Sequence, residues 1–253
     1  MRLLRALERF AYRRADLAVS VTNSFVDHMV RNGARRVVVI PNGADPSVFR
    51  PLDNPSEVRR RYNLEGKFIA CFAGTLGMAH GLEVVLDTAV IMRDDPSVVF
   101  WLVGDGARRA DLEEQTRRRG LTNVVFQGQV PRGEVPAVLA ASDVALVLLR
   151  PDPLFETVLP SKMFEAMATG RPVVLGVRGE AKDLLLRGGS GVAIPPGDAQ
   201  ALASAIRSLR DRPEEGAAMG RRGRAFVIAN FSHDALATRY LEELQVLLDT
   251  ARR

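Results

Sequence analysis

Residues 160–174 combine groups that could bind a phosphate next to a sugar. Ser161 is predicted to cap a helix, so the amides of Lys162 and Met163 would lie unpaired at its positive N-terminus, where a phosphate can accept their hydrogen bonds. The Lys162 ammonium adds a mobile charge, and Glu165, about one turn further along, could accept hydrogen bonds from sugar hydroxyls. A purely structural interpretation also fits, in which Ser161 only caps the helix and Glu165 only complements its dipole.

Glycine-rich segments follow two predicted strands and could bring backbone close to a ligand. The first, residues 74–81, reads GTLGMAHG and opens onto a predicted helix. It lacks the Gly-Lys-Ser/Thr ending of a Walker motif and does not have the dinucleotide-binding spacing. The second, residues 104–106, reads GDG and is equally consistent with a structural turn and with a ligand contact.

Short apolar strands alternate with amphipathic helices from residue 62 onward, which is typical of a parallel sheet covered on both faces. Strands are predicted at 68–73, 98–103, 124–127, 144–149, 172–175 and 191–194, and helices at 81–92, 107–119, 134–141, 161–169, 181–187 and 199–211. The pattern predicts a doubly wound α/β domain that binds its ligand outside the carboxyl ends of the strands. The loops at that edge are those after Ala73, Val103, Gln127, Leu149 and Leu175.

The first fifty residues follow a different pattern. The predicted elements are a basic amphipathic helix at 2–14, a strand at 17–21, a helix at 24–32 and a strand at 36–40. Two strands and two helices are too few for an independent core, so this segment is expected to dock on a missing or partner domain. The expected division is the end of an N-terminal domain plus linker (1–50), a ligand-binding domain (51–230) and a C-terminal helix returning toward the N-terminal domain (231–253).

The composition narrows the class of partner. A chain of 253 residues with 47% hydrophobic and 26% charged residues is ordinary for a soluble globular protein. A net charge of +5 favours anionic partners such as nucleotide phosphates or an acidic membrane surface. Nucleic acid is not expected, because only 6% of the residues are aromatic and no zinc spacing or RNP-like run occurs.

The cysteine and histidine content and the hydropathy argue against disulfide-bonded, metal-binding and membrane-spanning proteins. Cys71 is the single cysteine and lies in an apolar run, so it is interpreted as a core residue. The three histidines do not cluster with metal-ligand spacing, and neither a metal site nor a cofactor is expected. No apolar run approaches the roughly 20 residues that span a bilayer and no signal-peptide core is present, which predicts a cytoplasmic location. The helix at 2–14 leaves peripheral contact with the inner membrane face open.

A series of motifs resembles the C-terminal half of a glycosyltransferase family 4 enzyme, with the GT-B architecture of two facing Rossmann-like domains. The motifs are Pro41-Asn42-Gly43-Ala44-Asp45, Phe72-Ala73-Gly74, Leu102-Val103-Gly104-Asp105-Gly106, Ser142-Asp143-Val144, Glu165-Ala166-Met167-Ala168-Thr169-Gly170-Arg171-Pro172-Val173 and Pro195-Pro196-Gly197-Asp198. The resemblance runs from about residue 15 to the C-terminus. Residues 77–82 and 159–165 look most like bacterial transferases of amino-deoxy sugars such as N-acetylfucosamine.

The resemblance implies a nucleotide diphosphate sugar, expected to be uridine-linked, at the carboxyl edge of the sheet. Glu165 would bind the ribose hydroxyls, backbone at 128–130 the base, and amides at 161–163 the diphosphate. Transfer would proceed with retention and without a metal, because a basic pair and helix amides stabilise the leaving diphosphate. The implied donor contacts are Gly74, Thr75, Gly77, Gly104, Asp105, Gly128, Val130, Thr157, Ser161, Lys162, Met163 and Glu165, and the expected catalytic residues are His80, Lys162 and Glu165.

The sequence departs from the family pattern in three places. Thr75 and His80 stand where the first glycine-rich loop usually has Arg and Lys, so Lys162 could supply the missing charge, assisted by His80 if it is protonated. Thr157 stands at the first acid of the paired-glutamate motif, with Glu156 one residue away. The acceptor-binding N-terminal domain is expected to be absent apart from residues 1–50.

The leading hypothesis is the donor-binding half of a retaining glycosyltransferase that acts on a glycan or lipid-linked acceptor in cell-surface polysaccharide synthesis. One alternative is a nonenzymatic nucleotide-sugar-binding module that assembles with a partner subunit, favoured by the apolar face expected on residues 1–40. The other is a nucleotide-sugar epimerase of the same architecture, for which His80 is the candidate histidine.

Overall fold

A computed structural model describes residues 2–251 of the chain. Met1 and residues 252–253, the outer ends of the predicted terminal segments, lie outside the described residues. The elements in chain order are α1 (Arg2–Arg14), β1 (Ala18–Ser20), α2 (Val26–Arg31), β2 (Val37–Val39), α3 (Pro55–Arg61), β3 (Phe68–Ala73), α4 (Glu83–Ile91), β4 (Val98–Val103), α5 (Arg109–Arg118), β5 (Val124–Gly128), α6 (Val135–Ala141), β6 (Val144–Leu148), α7 (Ser161–Ala168), β7 (Val173–Gly176), α8 (Glu180–Arg187), β8 (Gly191–Ala193), α9 (Ala199–Asp211), α10 (Pro213–Asn230) and α11 (His233–Ala251).

Strands β3 to β8 form one six-stranded sheet in which every neighbouring pair is parallel. Their order is β5-β4-β3-β6-β7-β8, so the chain builds outward from β3 in one direction and then from β6 in the other. Helices cover both faces, as the fully buried strand β4 requires. The doubly wound α/β fold predicted from sequence is confirmed. The strand order reverses between β3 and β6, the kind of junction at which such sheets bind ligands.

The six-stranded sheet and helices α3 to α10 form the main unit of the chain. Two of its helices, α3 and α10, are not predicted by the sequence pattern. The buried residues of α10 include Gly216, Gly220 and Gly223. A Cβ on Gly220 would lie 1.9 Å from the carbonyl oxygen of Gly170, just after α7, so glycine is required for this close approach. A pattern of apolar side chains cannot reveal a helix that packs through glycines.

The N-terminal segment consists of α1, α2 and a two-stranded parallel sheet of β1 and β2. Its small apolar cluster is formed by Ala18, Met29 and Ala34, with Tyr12 and Val37 against them. None of the residues of α1 is buried, and Leu3 and Phe10 are 82% and 57% exposed. Among residues 2–251, no helix is both long and apolar enough to cross a membrane.

The chain enters and leaves the main unit at adjacent points. The amide of Ala44 donates to the carbonyl of Phe231 at 3.0 Å, and the amide of His233 donates to the carbonyl of Ala44 at 3.2 Å. From there α11 runs along the N-terminal segment, where Glu243 pairs with Arg36. The chain segments that enter and leave the main unit are therefore hydrogen-bonded to each other.

A second contact joins the N-terminal segment to the main unit. The carboxylate of Glu180, the first residue of α8, accepts hydrogen bonds from the Thr22 hydroxyl at 2.6 Å and the Asn23 amide at 2.9 Å. The side-chain amide of Asn23 adds a third at 2.5 Å. One carboxylate thus holds the turn after β1 against the loop that follows β7.

Candidate functional site

The loops after β3, β4 and β5 surround a cleft of about 310 Å³ at the carboxyl edge of the sheet. Its walls include five residues predicted from the sequence, namely Gly74, Thr75, Gly104, Asp105 and Val130. A second cavity, of about 340 Å³, lies at the opposite edge, where β3 and β7 begin, and none of the predicted site residues lines it. These five predicted residues therefore meet at the edge where doubly wound sheets bind ligands, whereas none of the predicted residues of α7 is part of this cleft wall.

Glycine lets these loops pack closely against one another. Gly74 and Gly104 have φ values of +145° and +136°, which strain residues that carry a side chain. A Cβ on Gly104 would lie 2.0 Å from the carbonyl oxygen of Gly74. The Gly74 amide donates to the Val103 carbonyl at 2.8 Å, and the Gly104 amide to the Gly128 carbonyl at 2.7 Å. Gly128 is buried and holds the loop after β5 in place without lining the cleft.

The side chain of Lys162 reaches from α7 to the loop after β3. Its ammonium lies 4.1 Å from the centroid of the Phe72 ring, and a Cβ on Gly74 would come within 2.9 Å of the same nitrogen. Burial lowers the pKa of Lys162 to about 8, although Glu165 opposes the shift. Within residues 2–251, no carboxylate oxygen lies within 4.0 Å of this ammonium. The structure therefore holds a positive charge at the glycine-rich loop without an ion-pair partner in the described chain.

Glu165 follows Lys162 by about one turn of α7. Burial raises the pKa of its carboxyl group, whereas the neighbouring Lys162, Arg132 and His233 lower it. Its carboxylate makes no hydrogen bond or ion pair with the side chains and amides that the structure describes. Its oxygens can therefore accept hydrogen bonds from the hydroxyls of a ligand.

His80 contacts the same Phe72 ring as Lys162. The two ring centroids are 5.2 Å apart in an edge-to-face arrangement. The His80 Nδ1 lies 3.2 Å from the carbonyl oxygen of Leu148, which can only accept, so Nδ1 carries the proton. Burial lowers the pKa of His80 and Lys162 lowers it further, against the raising effect of the bond to Leu148. Burial and the Lys162 charge therefore disfavour the protonation on which the expected assistance by His80 depends.

The family model for glycosyl transferases group 1 matches residues 67–212, more than half of the chain. The chain belongs to this family. The 2-deoxystreptamine glucosyltransferase of Streptomyces kanamyceticus is 32% identical over 242 residues, covering 90% of this chain and 60% of that relative. The alpha-D-kanosaminyltransferase of the same organism is 27% identical, covering 82% of this chain and 54% of that relative. This group 1 chain thus spans 60% or less of the length of these two curated relatives.

Solved structures share the fold of this group 1 chain. The Anabaena protein HepE, solved in complex with UDP and glucose, superposes with a TM-score of 0.82 at 25% identity, covering 96% of this chain and 66% of HepE. The C-terminal domain of a group 1 protein, LpcC of Francisella tularensis, superposes with a TM-score of 0.64 at 19% identity, covering 76% of this chain and all of that structure. The GT-B fold implied by the resemblance is confirmed, and the matches favour neither the binding-module nor the epimerase alternative.

The prediction for the start of α7 in this group 1 chain is partly wrong. Pro160 occupies the N-cap position and Ser161 is already the first helical residue, so the serine hydroxyl does not cap the helix. The amide of Met163 donates to the Pro160 carbonyl at 3.0 Å and is not available to an anion. The amides of Ser161 and Lys162 are those that α7 can offer to a ligand.

Thr157 and Gly77 lie outside the cleft wall. The Thr157 hydroxyl donates to the carbonyl of Leu154 at 2.7 Å and is used within its own turn. Gly77 precedes the short 3-10 turn at Met78–His80. This geometry gives no support to donor contacts by these two residues.

One charged residue of the cleft wall, Arg132, is missing from the sequence prediction, whereas Gln129 lies within the backbone stretch 128–130 that was expected to contact the base. Arg132 is exposed, and its charge acts on the Glu165 carboxyl group. Its position shortly after β5, at the carboxyl edge, was the available signal. A polar loop has no periodicity that would single this residue out.

Proposed function

We propose that this chain is the donor-binding half of a retaining glycosyltransferase that uses a uridine-linked diphosphate sugar to extend a glycan or lipid-linked acceptor in cell-surface polysaccharide synthesis. The observation that carries the proposal is the Lys162 ammonium, held between the Phe72 ring and the Gly74 backbone without an ion pair in the described chain. The complex of HepE with UDP supports the choice of base.

Two arginines beside the cleft, Arg108 and Arg109, already have carboxylate partners. Arg108 pairs with Glu83 and with Asp111 at 2.5 Å each, and Arg109 pairs with Glu113 at 2.8 Å. Such exposed pairs add little stability, but they neutralise the charge that these arginines would offer a ligand. Arg132 lines the cleft wall without an ion pair in residues 2–251, but it is exposed. Lys162 is held against the Phe72 ring and the Gly74 backbone, and it is the cation we assign to the donor diphosphate.

In the proposed complex the diphosphate accepts hydrogen bonds from the Lys162 ammonium and from the amides of Ser161 and Lys162, at the positive end of α7. Negative charge grows on the diphosphate as its bond to the sugar breaks, and the same groups stabilise that charge. The Glu165 carboxylate accepts hydrogen bonds from the ribose hydroxyls, and the backbone of residues 128–130 contacts the base.

The remaining parts of the proposal are the donor sugar and the acceptor side. The motifs at 77–82 and 159–165, together with the kanosaminyltransferase among the relatives, support an amino-deoxy sugar. We assign residues 1–50 and 231–253 to the acceptor side of the enzyme. The exposed Leu3 and Phe10 of α1 support a contact between that side and a further domain, with an anionic membrane surface as the competing partner.

Calorimetric titration with UDP, GDP and ADP tests the donor site. UDP should bind, and Lys162→Met and Glu165→Gln should each weaken it about 10-fold or more, the effect of losing a hydrogen bond to a charged group. The matched control is Lys67→Met, because Lys67 is exposed at the amino edge and donates to the Pro96 carbonyl. Failure of all three nucleotides to bind would refute the donor site, and binding of GDP or ADP alone would refute the uridine assignment.

A turnover assay tests the half-enzyme proposal. The isolated chain is mixed with uridine-linked sugars and lipid-diphosphate acceptors, and product formation is measured. We expect donor binding without substantial transfer, because catalysis in a cleft needs both of its walls in place. Robust transfer by these 253 residues would contradict the proposal.

A further inference from the structure

Two basic side chains, Lys162 and His80, contact the Phe72 ring. The Lys162 ammonium lies 4.1 Å from its centroid, and the His80 ring contacts it edge-to-face at a centroid distance of 5.2 Å. Phe72 lies in β3 and Leu148, the partner of His80, ends β6, so the pair sits at the junction where the strand order reverses. Two bases that share one aromatic ring repel each other when both are charged.

Few charges face this pair. Glu165, on the same helix as Lys162, favours the charged ammonium but forms no ion pair with it. Arg132, from the turn before α6, and His233, from the start of α11, act on Glu165 and add no negative charge. In residues 2–251 no carboxylate oxygen lies within 4.0 Å of the imidazole. The bond from Nδ1 to the Leu148 carbonyl leaves the His80 Nε2 as the nitrogen able to gain a proton.

We propose that binding of a nucleotide diphosphate sugar is coupled to proton uptake by this pair, so that the complex carries up to one positive charge more beside Phe72 than the free chain, depending on pH. The inference rests on the proposed function, because it needs the donor diphosphate as the counter-charge. In the free chain the second positive charge would face the first in a partly dry site, whereas a diphosphate brings two negative charges. The proton comes from solvent and adds to Nε2 of His80 or to Nζ of Lys162.

The two groups take up the proton in different pH ranges. Burial lowers the pKa of Lys162 to about 8, so close to pH 8 half of the ammonium groups are deprotonated, and a bound diphosphate would restore about half a proton per ligand. Burial and Lys162 lower the pKa of His80 below its ordinary value of 6.5, so its uptake falls on the acidic side of neutrality. Donor affinity should therefore decline as the pH rises above about 8.

Calorimetric titration in pairs of buffers with different ionisation enthalpies measures the number of protons taken up. The probes are UDP-glucose and GDP-mannose, because a diphosphate esterified at both ends lacks the terminal phosphate group that titrates near pH 6 in a free nucleoside diphosphate. We expect uptake of about half a proton at pH 8 and a second uptake at pH 6. Lys162→Arg should remove the uptake at pH 8, since a guanidinium stays protonated, and His80→Gln should remove the uptake at pH 6. Lys67→Arg, at the opposite edge, should retain both.

The outcomes separate this inference from the proposed function. Probe binding without proton uptake at either pH would overturn the coupling and leave the donor site standing. Full uptake at pH 8 in Lys162→Arg, or at pH 6 in His80→Gln, would place the proton on another group and would also overturn it. Failure of both probes to bind the unmodified chain would overturn the donor site and the coupling together.

Discussion

Replacing Lys162 with Met should make the folded chain more stable and its donor binding weaker. The ammonium is buried beside an aromatic ring without an ion pair in the described residues, so its charge costs free energy that the Phe72 ring and Glu165 offset only in part. Methionine has a similar length and no charge, and it packs favourably against aromatic rings. The substitution thus separates two effects of the Lys162 charge, its cost in folding stability and its contribution to ligand binding.

The lowered pKa of Lys162 sets the magnitude. A fall from 10.5 to about 8 corresponds to about 3 kcal/mol against the charged form, and the contact with Phe72 offsets about 1 kcal/mol of it. Lys162→Met should therefore raise the free energy of unfolding by about 2 kcal/mol at pH 7. Between pH 8 and 10.5 the folded chain releases the proton before the unfolded chain does, so the advantage of the variant shrinks and is lost above about pH 10.5.

Urea unfolding at pH 7, 8.5 and 10, followed by fluorescence, measures this advantage, because the single tryptophan, Trp101, is fully buried. Lys67→Met, on the exposed amino edge, is the control for loss of a lysine. The reasoning would be refuted if the free energy of unfolding of Lys162→Met at pH 7 were no higher than that of the control. It would also be refuted if the difference between the two variants grew with pH.

Two further substitutions test the packing around the site. Gly104→Ala should lower the free energy of unfolding by more than about 2 kcal/mol, because its Cβ would lie 2.0 Å from the Gly74 carbonyl oxygen; Gly133→Ala, in open space, is the control, and equal urea midpoints for the two would contradict the close approach. Glu180→Ala should cost about 1–3 kcal/mol by leaving the Thr22 hydroxyl without its acceptor. Hydrogen exchange in residues 18–39 should become faster in that variant, and unchanged exchange would show that the contact does not hold the segment in solution.

Most of the main sheet could be predicted because its strands are apolar runs bounded by turn residues. All six residues of β4 are buried, and a continuous apolar run is the pattern that such a strand requires. The same reasoning cannot find α10, whose buried residues include three glycines, or α3, which has no buried residue at all. Helices that pack through backbone, or that stay on the surface, leave no apolar periodicity to detect.

The site was predictable to the extent that topology alone brings its parts together. The carboxyl ends of parallel strands meet at one edge, so Gly74, Gly104 and the loop leading to Lys162 were expected there. The details at the start of α7 were not, because Pro160 and Ser161 are both acceptable first residues and only the backbone hydrogen bonds decide between them. The action of Arg132 on Glu165 depends on a distance between two loops, and local sequence carries no record of it.

The segment between Ala44 and Phe231 begins and ends at one place, because its two ends are hydrogen-bonded side by side. A Cβ on Gly43 would lie 2.1 Å from the Phe231 carbonyl oxygen, so glycine allows this meeting of the ends. A unit whose ends meet can be inserted into another chain without stretching either partner. Recombination or protein engineering could therefore join the main sheet to a different neighbouring segment while the cleft at its carboxyl edge stays intact.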